Sequence, residues 1–339
     1  MPSSQIVIEE FHSLALENNP LKDPVTRKVP VYLPPEYDDQ KKYPSIFLLT
    51  GFAARGLKLL NDDLWQENIQ QRLDRLILNG DIQPVIVVMP DASTRLGGSQ
   101  YMNSAATGNY EDHILELVQY IDNTYPTRQG KNYRAVMGHS SGGYGALRLS
   151  MRQPRVFGLT AAHAPDLYFE MVYQKDFPQF LQFFDRAGAE GLQHMLDNPG
   201  DALSKGVSFY ALAFAAMASC YSPNPDSPWG FDLPFDTYTG ELNPEVWARW
   251  QENDPIHMAA RHADSLRSLK LLYIDCGIYD EENLLYGTRI LAKQFNELHI
   301  PHTYEQFEGG HRNTQFRYDV SLKAISKSFG QADGLGGGA

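Results

Sequence analysis

The residues best suited to chemistry form one short run near the middle of the chain, Gly138-His-Ser-Ser-Gly142. This run fits the G-x-S-x-G pattern, in which a strand turns sharply into a helix and exposes the central serine at the apex. Residues 133–137 before it are apolar enough for a buried strand, and residues 144–151 after it have helical spacing. The pattern predicts that Ser140 is a nucleophile facing the N-terminus of a helix.

A serine hydroxyl becomes reactive only when a base takes its proton and a carboxylate orients that base. In folds built around this turn, the acid and then the histidine follow the serine along the chain. His311 stands behind two glycines after the last predicted strand and is the predicted base. Asp280, just beyond a late strand, is the predicted acid. Asp275, Glu281 and Glu282 remain alternatives for the acid.

Acyl chemistry at a serine also needs two backbone N–H groups that bind the developing oxyanion. The pattern predicts one donor at Ser141, directly after the nucleophile, and a second in the turn Gly51-Phe52 after an early apolar strand. Three further side chains are expected to border the pocket and contact the substrate. They are Tyr101 and Asn103, in a glycine-rich loop, and Trp247.

The elements that must position these residues alternate along the chain. Predicted strands cover 6–16, 27–33, 45–50, 84–89, 133–137, 157–162, 268–274 and 302–307, and predicted helices cover 63–78, 111–125, 144–151 and 284–298. This alternation predicts an α/β fold with a doubly wound, mostly parallel sheet, and loops at the carboxyl ends of its strands build the site. The first two strands, joined by short loops, predict an antiparallel edge.

The alternation is interrupted between residues 166 and 267, which contain helical stretches and a proline- and glycine-rich segment. We therefore expect an α/β core of residues 1–165 and 268–329, with 166–267 inserted as a helical cap over the pocket. Residues 330–339, rich in glycine, are expected to be a flexible tail.

The composition is that of an ordinary globular protein, with 339 residues, 21% of them charged and 42% hydrophobic. The net charge of -12 argues against a nucleic-acid surface. No zinc-type Cys/His spacing and no phosphate-binding loop occur, so no metal or organic cofactor is expected. No apolar run approaches a membrane span, and the N-terminus is unlike a signal peptide. With only two distant cysteines, a cytoplasmic location is expected.

Several stretches together resemble the esterase D family of α/β-hydrolases, which includes S-formylglutathione hydrolases and feruloyl and enterochelin esterase-like proteins. The matching stretches are Tyr32-Leu-Pro-Pro35, Leu48-Leu-Thr-Gly-Phe52, Val88-Met-Pro-Asp91, Gly138-His-Ser-Ser-Gly-Gly-Tyr-Gly-Ala146, Asp275-Cys-Gly-Ile-Tyr-Asp280 and Gly309-Gly-His311. They span nearly the whole predicted core in the family's order.

The resemblance implies a serine carboxylesterase that hydrolyses small-molecule esters through an acyl-enzyme, without a cofactor. Matched motif by motif, it assigns the triad to Ser140, Asp280 and His311, and the oxyanion donors to Phe52 and Ser141. Thr50 differs from the His or Asp of many relatives, and the long insertion leaves the substrate open. The alternatives are acyl transfer of the mycolyltransferase type, a serine peptidase and a non-catalytic binding protein on the same fold.

Overall fold

Strands and helices alternate through residues 3–330, the part of the chain that the computed structural model describes. The ten strands are β1 (Gln5–His12), β2 (Thr26–Leu33), β3 (Ser45–Leu49), β4 (Ile86–Val88), β5 (Asn103–Ser104), β6 (Gly108–Asn109), β7 (Arg134–His139), β8 (Leu159–His163), β9 (Leu271–Gly277) and β10 (Thr303–Phe307).

The helices of the core are α1 (Ile69–Leu78), α2 (Tyr110–Thr124), α3 (Ser141–Arg152), α11 (Leu284–Glu297) and α12 (Arg317–Gly330). Between α3 and α11 come α4 (Phe169–Val172), α5 (Phe177–Asp197), α6 (Pro199–Ser204), α7 (Phe209–Tyr221), α8 (Pro244–Gln251), α9 (Pro255–Arg261) and α10 (Ala263–Arg267). Helix α5 is interrupted at Gly188, whose backbone is not helical.

Eight strands form one sheet in the order β1-β2-β4-β3-β7-β8-β9-β10, and β5 and β6 form a separate hairpin. The strands from β4 to β10 in this order pair in parallel, whereas β1 pairs antiparallel with β2 and β2 antiparallel with β4. The predicted mostly parallel sheet with an antiparallel edge is confirmed. In this order β3, β7 and β8 are neighbours, so their carboxyl ends meet at one edge.

The strands are buried on both sides because helices cover both faces of the sheet. In β3, Phe47 and Leu49 pack towards α2, while Ile46 and Leu48 pack towards α1 and α12. Successive side chains of a strand point to opposite faces of the sheet, so β3 contributes to the apolar clusters on both faces. Helices α3, α9, α10 and α11 form a further apolar cluster.

Helices α4 to α8 surround an aromatic cluster, to which buried side chains of α3 and α11 also contribute. Phe180 and Trp250 are fully buried there and contact Phe214, whose ring centroid lies 5.1 and 5.2 Å from theirs. By contrast, α9 and α10 pack against α3 and α11, within the helix layer of the sheet. The assignment of 166–267 to a cap domain remains a prediction.

Two elements differ from the sequence prediction by four residues or more at one end. The strand expected over 6–16 ends at His12, because Glu116 accepts hydrogen bonds from Ser13 Oγ and Ala15 N and draws the chain into a short 3-10 turn. The helix expected over 63–78 begins only at Ile69, because Asn68 caps it with a reciprocal side-chain to backbone pair.

The predicted tail, 330–339, lies outside the described residues except for Gly330, which ends α12. Within residues 3–330, no helix has both the length and the apolar character needed to cross a bilayer. The cytoplasmic location remains a prediction.

Candidate active site

Ser140 stands at a sharp turn between β7 and α3. Its backbone has φ 59° and ψ −126°, a conformation that costs a non-glycine residue about 1–3 kcal/mol. The turn is possible because two glycines let three chain segments approach closely. A Cβ on Gly138 would lie 2.5 Å from the Gly142 carbonyl carbon, and a Cβ on Gly142 would lie 2.4 Å from the Leu49 oxygen. The close packing of β3 and β7 at this turn therefore maintains the strained backbone conformation of Ser140.

Ser140, His311 and Asp280 meet at the carboxyl edge of the sheet, in the arrangement that the sequence predicted. His311 Nε2 lies 3.0 Å from Ser140 Oγ, and His311 Nδ1 lies 2.8 Å from Asp280 Oδ2. The other carboxylate oxygen of Asp280 accepts backbone hydrogen bonds from Glu282 and Leu284, which fixes the group. The serine hydroxyl thus lies within hydrogen-bond distance of an imidazole, and that imidazole lies within hydrogen-bond distance of a carboxylate.

The two ionisable members of this trio change each other's pKa. Burial by itself would lower the pKa of His311, but the hydrogen bond and negative charge of Asp280 raise it above its ordinary value. Burial by itself would raise the pKa of Asp280, but the hydrogen bond and positive charge of His311 lower it. Asp280 therefore stabilises the protonated form of the His311 imidazole.

Asp275, the alternative acid, is committed to other partners. It is fully buried and accepts from His163 Nδ1 at 2.7 Å, from Tyr273 and from Arg317. The other ring nitrogen of His163 lies 2.9 Å from Ser321 Oγ. None of these residues lines the cavity described below. Asp275 therefore braces the strand end beneath the site.

The two predicted oxyanion donors border the cavity next to Ser140. Ser141 opens α3, so its N–H points out of the helix end. Phe52 follows β3, the strand that pairs with β7. Neither N–H has an intramolecular acceptor within residues 3–330.

The loop that contains Tyr101 packs against the turn that contains Phe52 and stabilises it. The Tyr101 hydroxyl donates to the Thr50 carbonyl oxygen at 2.7 Å, and Thr50 Oγ1 donates to the Ala54 oxygen at 3.0 Å. A Cβ on Gly97, whose φ is +123°, would lie 2.4 Å from the Phe52 ring, so glycine is required for this contact. Tyr101 is buried and does not line the main cavity.

Asn103 and Trp247, the other two predicted substrate contacts, also lie outside the cavity lining. Asn103 is exposed, and its side-chain oxygen accepts from the N–H groups of Glu111 and Asp112 at the start of α2. Trp247 packs against Phe177 and the other rings of the insertion. These side chains stabilise a helix start and an aromatic core, roles that sequence spacing does not distinguish from substrate binding.

The cavity above Ser140 has a volume of about 700 Å³ and a lining of mixed character. The lining residues from the insertion are mostly aromatic or apolar and include Tyr173, Phe209, Phe214 and Met217, with Asp176 among them as a charged residue. The lining residues from 58–72 and from 312–315, before α12, are mostly polar. Ser140 and His311 line the same cavity.

Two further carboxyl groups lie at the site, one that was not predicted there and one whose contact differs from its predicted role. Asp166 follows β8, lines the cavity and receives a hydrogen bond from Ser141 Oγ at 2.8 Å. Glu281, weighed above only as an acid, accepts the backbone N–H of His311 at 2.5 Å and so holds the histidine loop. The signal for Asp166 was its position directly after a parallel strand, whose carboxyl end faces the site.

One group of metal-ligand side chains occurs within the described residues, Glu170, Asp254 and His257, with ligand atoms within 4.8 Å of one another. Asp254 caps α9 and accepts from the N–H groups of Phe169 and Ile256. Its oxygens are thus already occupied, and none of the three residues lines the cavity.

Most of the chain matches the sequence model of a known protein family. Residues 24–327 match the sequence model of the protein family described as "Putative esterase". Endo-1,4-beta-xylanase Y of Acetivibrio thermocellus is 32% identical over 102 residues, which are 30% of this chain and 8% of that protein. An endo-1,4-beta-xylanase/feruloyl esterase of Xylanibacter ruminicola is 30% identical over 136 residues, 38% of this chain and 18% of that protein. The chain spans less than a fifth of either relative.

Solved structures share the whole architecture at low sequence identity. A ferulic acid esterase superposes with a TM-score of 0.62 at 19% identity, covering 96% of this chain and 99% of that one. S-formylglutathione hydrolase from Staphylococcus aureus superposes with a TM-score of 0.58 at 16% identity, covering 96% and 99%. At such identities, the likeness establishes the fold.

Proposed function

The chain belongs to the "Putative esterase" family of carboxylic ester hydrolases with the α/β-hydrolase fold, and we propose that it is a serine carboxylesterase working through Ser140, His311 and Asp280. The observation that carries this proposal is the unbroken hydrogen-bonded series from Ser140 Oγ through His311 to Asp280, at the base of an open cavity.

In the first half of the reaction, Ser140 Oγ attacks the carbonyl carbon of an ester while its proton passes to His311 Nε2. The resulting imidazolium is stabilised by Asp280, which itself stays ionised because its pKa is held low. His311 then gives the proton to the departing alcohol oxygen, and the acyl group remains on Ser140.

The tetrahedral intermediate carries a negative oxygen, and we assign its binding to the N–H groups of Phe52 and Ser141. The positive end of α3 adds to this stabilisation. In the second half of the reaction, His311 takes a proton from water, which attacks the acyl-enzyme and releases the acid.

The shape of the cavity suggests which esters to test. Its aromatic and apolar lining residues suit a flat or aliphatic acyl group, and its polar lining residues suit a hydroxylated alcohol. Among the structurally similar proteins is a ferulic acid esterase, so esters of aromatic acids are the first class to examine. A panel with straight acyl chains of increasing length and with cinnamoyl-type groups, on one leaving group, would rank them by kcat/KM.

The proposal is tested by labelling with a fluorophosphonate, which reacts with activated serines. One equivalent should be incorporated by the wild-type protein and none by Ser140→Ala. Ser150→Ala is the matched control, because Ser150 lies in α3, the helix that follows Ser140, but is buried and donates to the Ala146 oxygen. If the wild-type protein incorporates no label, or Ser140→Ala labels normally, the proposed function is wrong.

A further inference from the structure

Asp166 lies beside the nucleophile and has no part in the mechanism above. Its side chain is buried, with 7% of the residue exposed, and it forms part of the cavity wall. Its two carboxyl oxygens have different surroundings. Three donors surround Oδ2, namely Ser141 Oγ at 2.8 Å, Gln100 Nε2 at 3.1 Å and the Tyr173 hydroxyl at 3.3 Å. Oδ2 thus already accepts three hydrogen bonds.

The other oxygen, Oδ1, faces the reacting centre. Its one partner within residues 3–330 is Ser140 Oγ, at 3.4 Å. The serine hydroxyl has a single hydrogen, and attack requires that this hydrogen go to His311 Nε2, which lies closer, at 3.0 Å. An ionised Asp166 would compete with His311 for the hydrogen. Its charge would also repel the oxyanion that develops a few ångströms away.

A neutral Asp166 removes both difficulties. Because donors already occupy Oδ2, the carboxyl proton belongs on Oδ1. From there it can donate to Ser140 Oγ or to the bound ester, and the serine hydrogen is left for His311. Other enzymes keep a carboxylic acid neutral in a buried site so that it donates a hydrogen bond to an oxyanion.

The groups around Asp166 are compatible with the neutral form. Burial raises its pKa, whereas the hydrogen bonds from Ser141, Gln100 and Tyr173 and the charge of His311 act in the opposite direction without cancelling it. The titratable groups that face it are His311, from the loop after β10, Tyr173 after α4 and Tyr221 at the end of α7.

Building on the proposed esterase function, we propose that Asp166 is a further catalytic residue. Its neutral carboxyl group presents Oδ1 as a third hydrogen-bond donor at the reacting centre, in addition to the N–H groups of Phe52 and Ser141. No bond to Asp166 forms or breaks in the reaction, because its proton stays on Oδ1 throughout.

The test is the pH dependence of kcat/KM for the wild-type protein and Asp166→Asn, measured with an uncharged p-nitrophenyl ester. An asparagine can place its N–H₂ where Oδ1 lies and its oxygen where Oδ2 lies, so the donor is kept at every pH. We expect Asp166→Asn to be active and the ratio of its kcat/KM to that of the wild type to rise with pH. The wild type loses its donor as Asp166 ionises. Asp166→Ala, without a donor, should lose about 10²-fold or more in kcat.

Asp23→Asn is the matched control, since Asp23 is another buried acid with a raised pKa that does not line the cavity. Its pH profile should have the wild-type shape. If Asp166→Asn is inactive at every pH, the carboxyl works as an anion and the proposal is wrong. A ratio that does not change with pH also overturns it.

Labelling with the fluorophosphonate separates this proposal from the proposed function. If wild-type Ser140 is labelled but the ratio for Asp166→Asn is flat, only the role of Asp166 fails. If the wild type is not labelled, both fail. Should Asp166→Ala not fold, as judged by thermal unfolding, Asp166→Asn alone decides.

Discussion

At the scale of single residues, the pairing of His311 with Asp280 makes a prediction about pH. The base must be neutral to accept the serine proton, and its pKa is raised by Asp280. We therefore expect kcat/KM to fall as the pH is lowered through a value above 6.5, the ordinary value for histidine. The measurement is a pH profile with an ester that does not ionise. A limb below that value would contradict the arrangement.

The choice between the two aspartates is also a question about residues. Asp280→Asn should reduce kcat on the order of 10⁴-fold, because the amide cannot stabilise the imidazolium or hold its tautomer. The residual activity should have its acidic limb at lower pH, since the partner that raises the pKa of His311 is gone.

Asp275→Asn is the comparison for that variant. It removes the charge that faces Arg317 and His163, both buried or nearly so, and should lower the thermal stability rather than the turnover of the folded enzyme. If Asp275→Asn instead reduced kcat strongly while Asp280→Asn left kcat near the wild-type value, the assignment of Asp280 as the acid would be wrong.

At the scale of elements, the elbow depends on the close approach of β3 to the start of α3. Gly142→Ala would place a methyl group 2.4 Å from the Leu49 oxygen and 2.8 Å from the Thr50 oxygen. The methyl group should push the two segments apart, displacing the donors at Phe52 and Ser141. We expect a loss of 10²-fold or more in kcat and a destabilisation of about 1–3 kcal/mol, read from esterase assays and thermal unfolding.

Gly200→Ala is the control for this substitution. Gly200 lies in α6, has no atom within 4 Å of the added Cβ and has no positive φ. Alanine favours a helix over glycine by about 0.5–1 kcal/mol, so this variant should be unchanged in activity and slightly stabilised. Equal effects of the two substitutions would show that crowding at the elbow is not their cause.

At the scale of the whole molecule, the insertion and the core share the wall of one cavity. Phe209 at the start of α7 contacts Phe52 edge to face, with a ring-centroid distance of 5.8 Å, and both residues line the cavity. Phe209→Ala should therefore raise KM for esters of aromatic acids more than for acetyl esters. An aromatic acyl group would lose its contact with the Phe209 ring, whereas an acetyl group is too small to make much of that contact.

Tyr238→Ala provides the comparison, since Tyr238 belongs to the same insertion but is 94% exposed and outside the cavity. It should leave both KM values unchanged. If Phe209→Ala changed neither KM, the insertion would not contribute to substrate choice in the way proposed.

Much of the fold followed from local patterns. Short apolar runs alternating with amphipathic stretches determine a parallel sheet, because only buried strands can be apolar throughout and only their covering helices carry a polar face. The elbow was equally readable, since a serine between glycines at a strand end permits a turn that other residues forbid. The limits of α1 and β1 were missed, because they depend on hydrogen bonds at Asn68 and Glu116 rather than on periodicity.

The sequence by itself thus determined the sheet, the elbow and three side chains of complementary chemistry in the expected order. Only the tertiary structure decided which residues line the cavity. It brought Asp166 to the serine and Phe209 to the wall of the cavity, and it placed Tyr101, Asn103 and Trp247 in supporting positions. The physical reason is that periodicity records which side of an element is buried. It does not record which other element, distant in sequence, packs against that side, or whether a space remains between them.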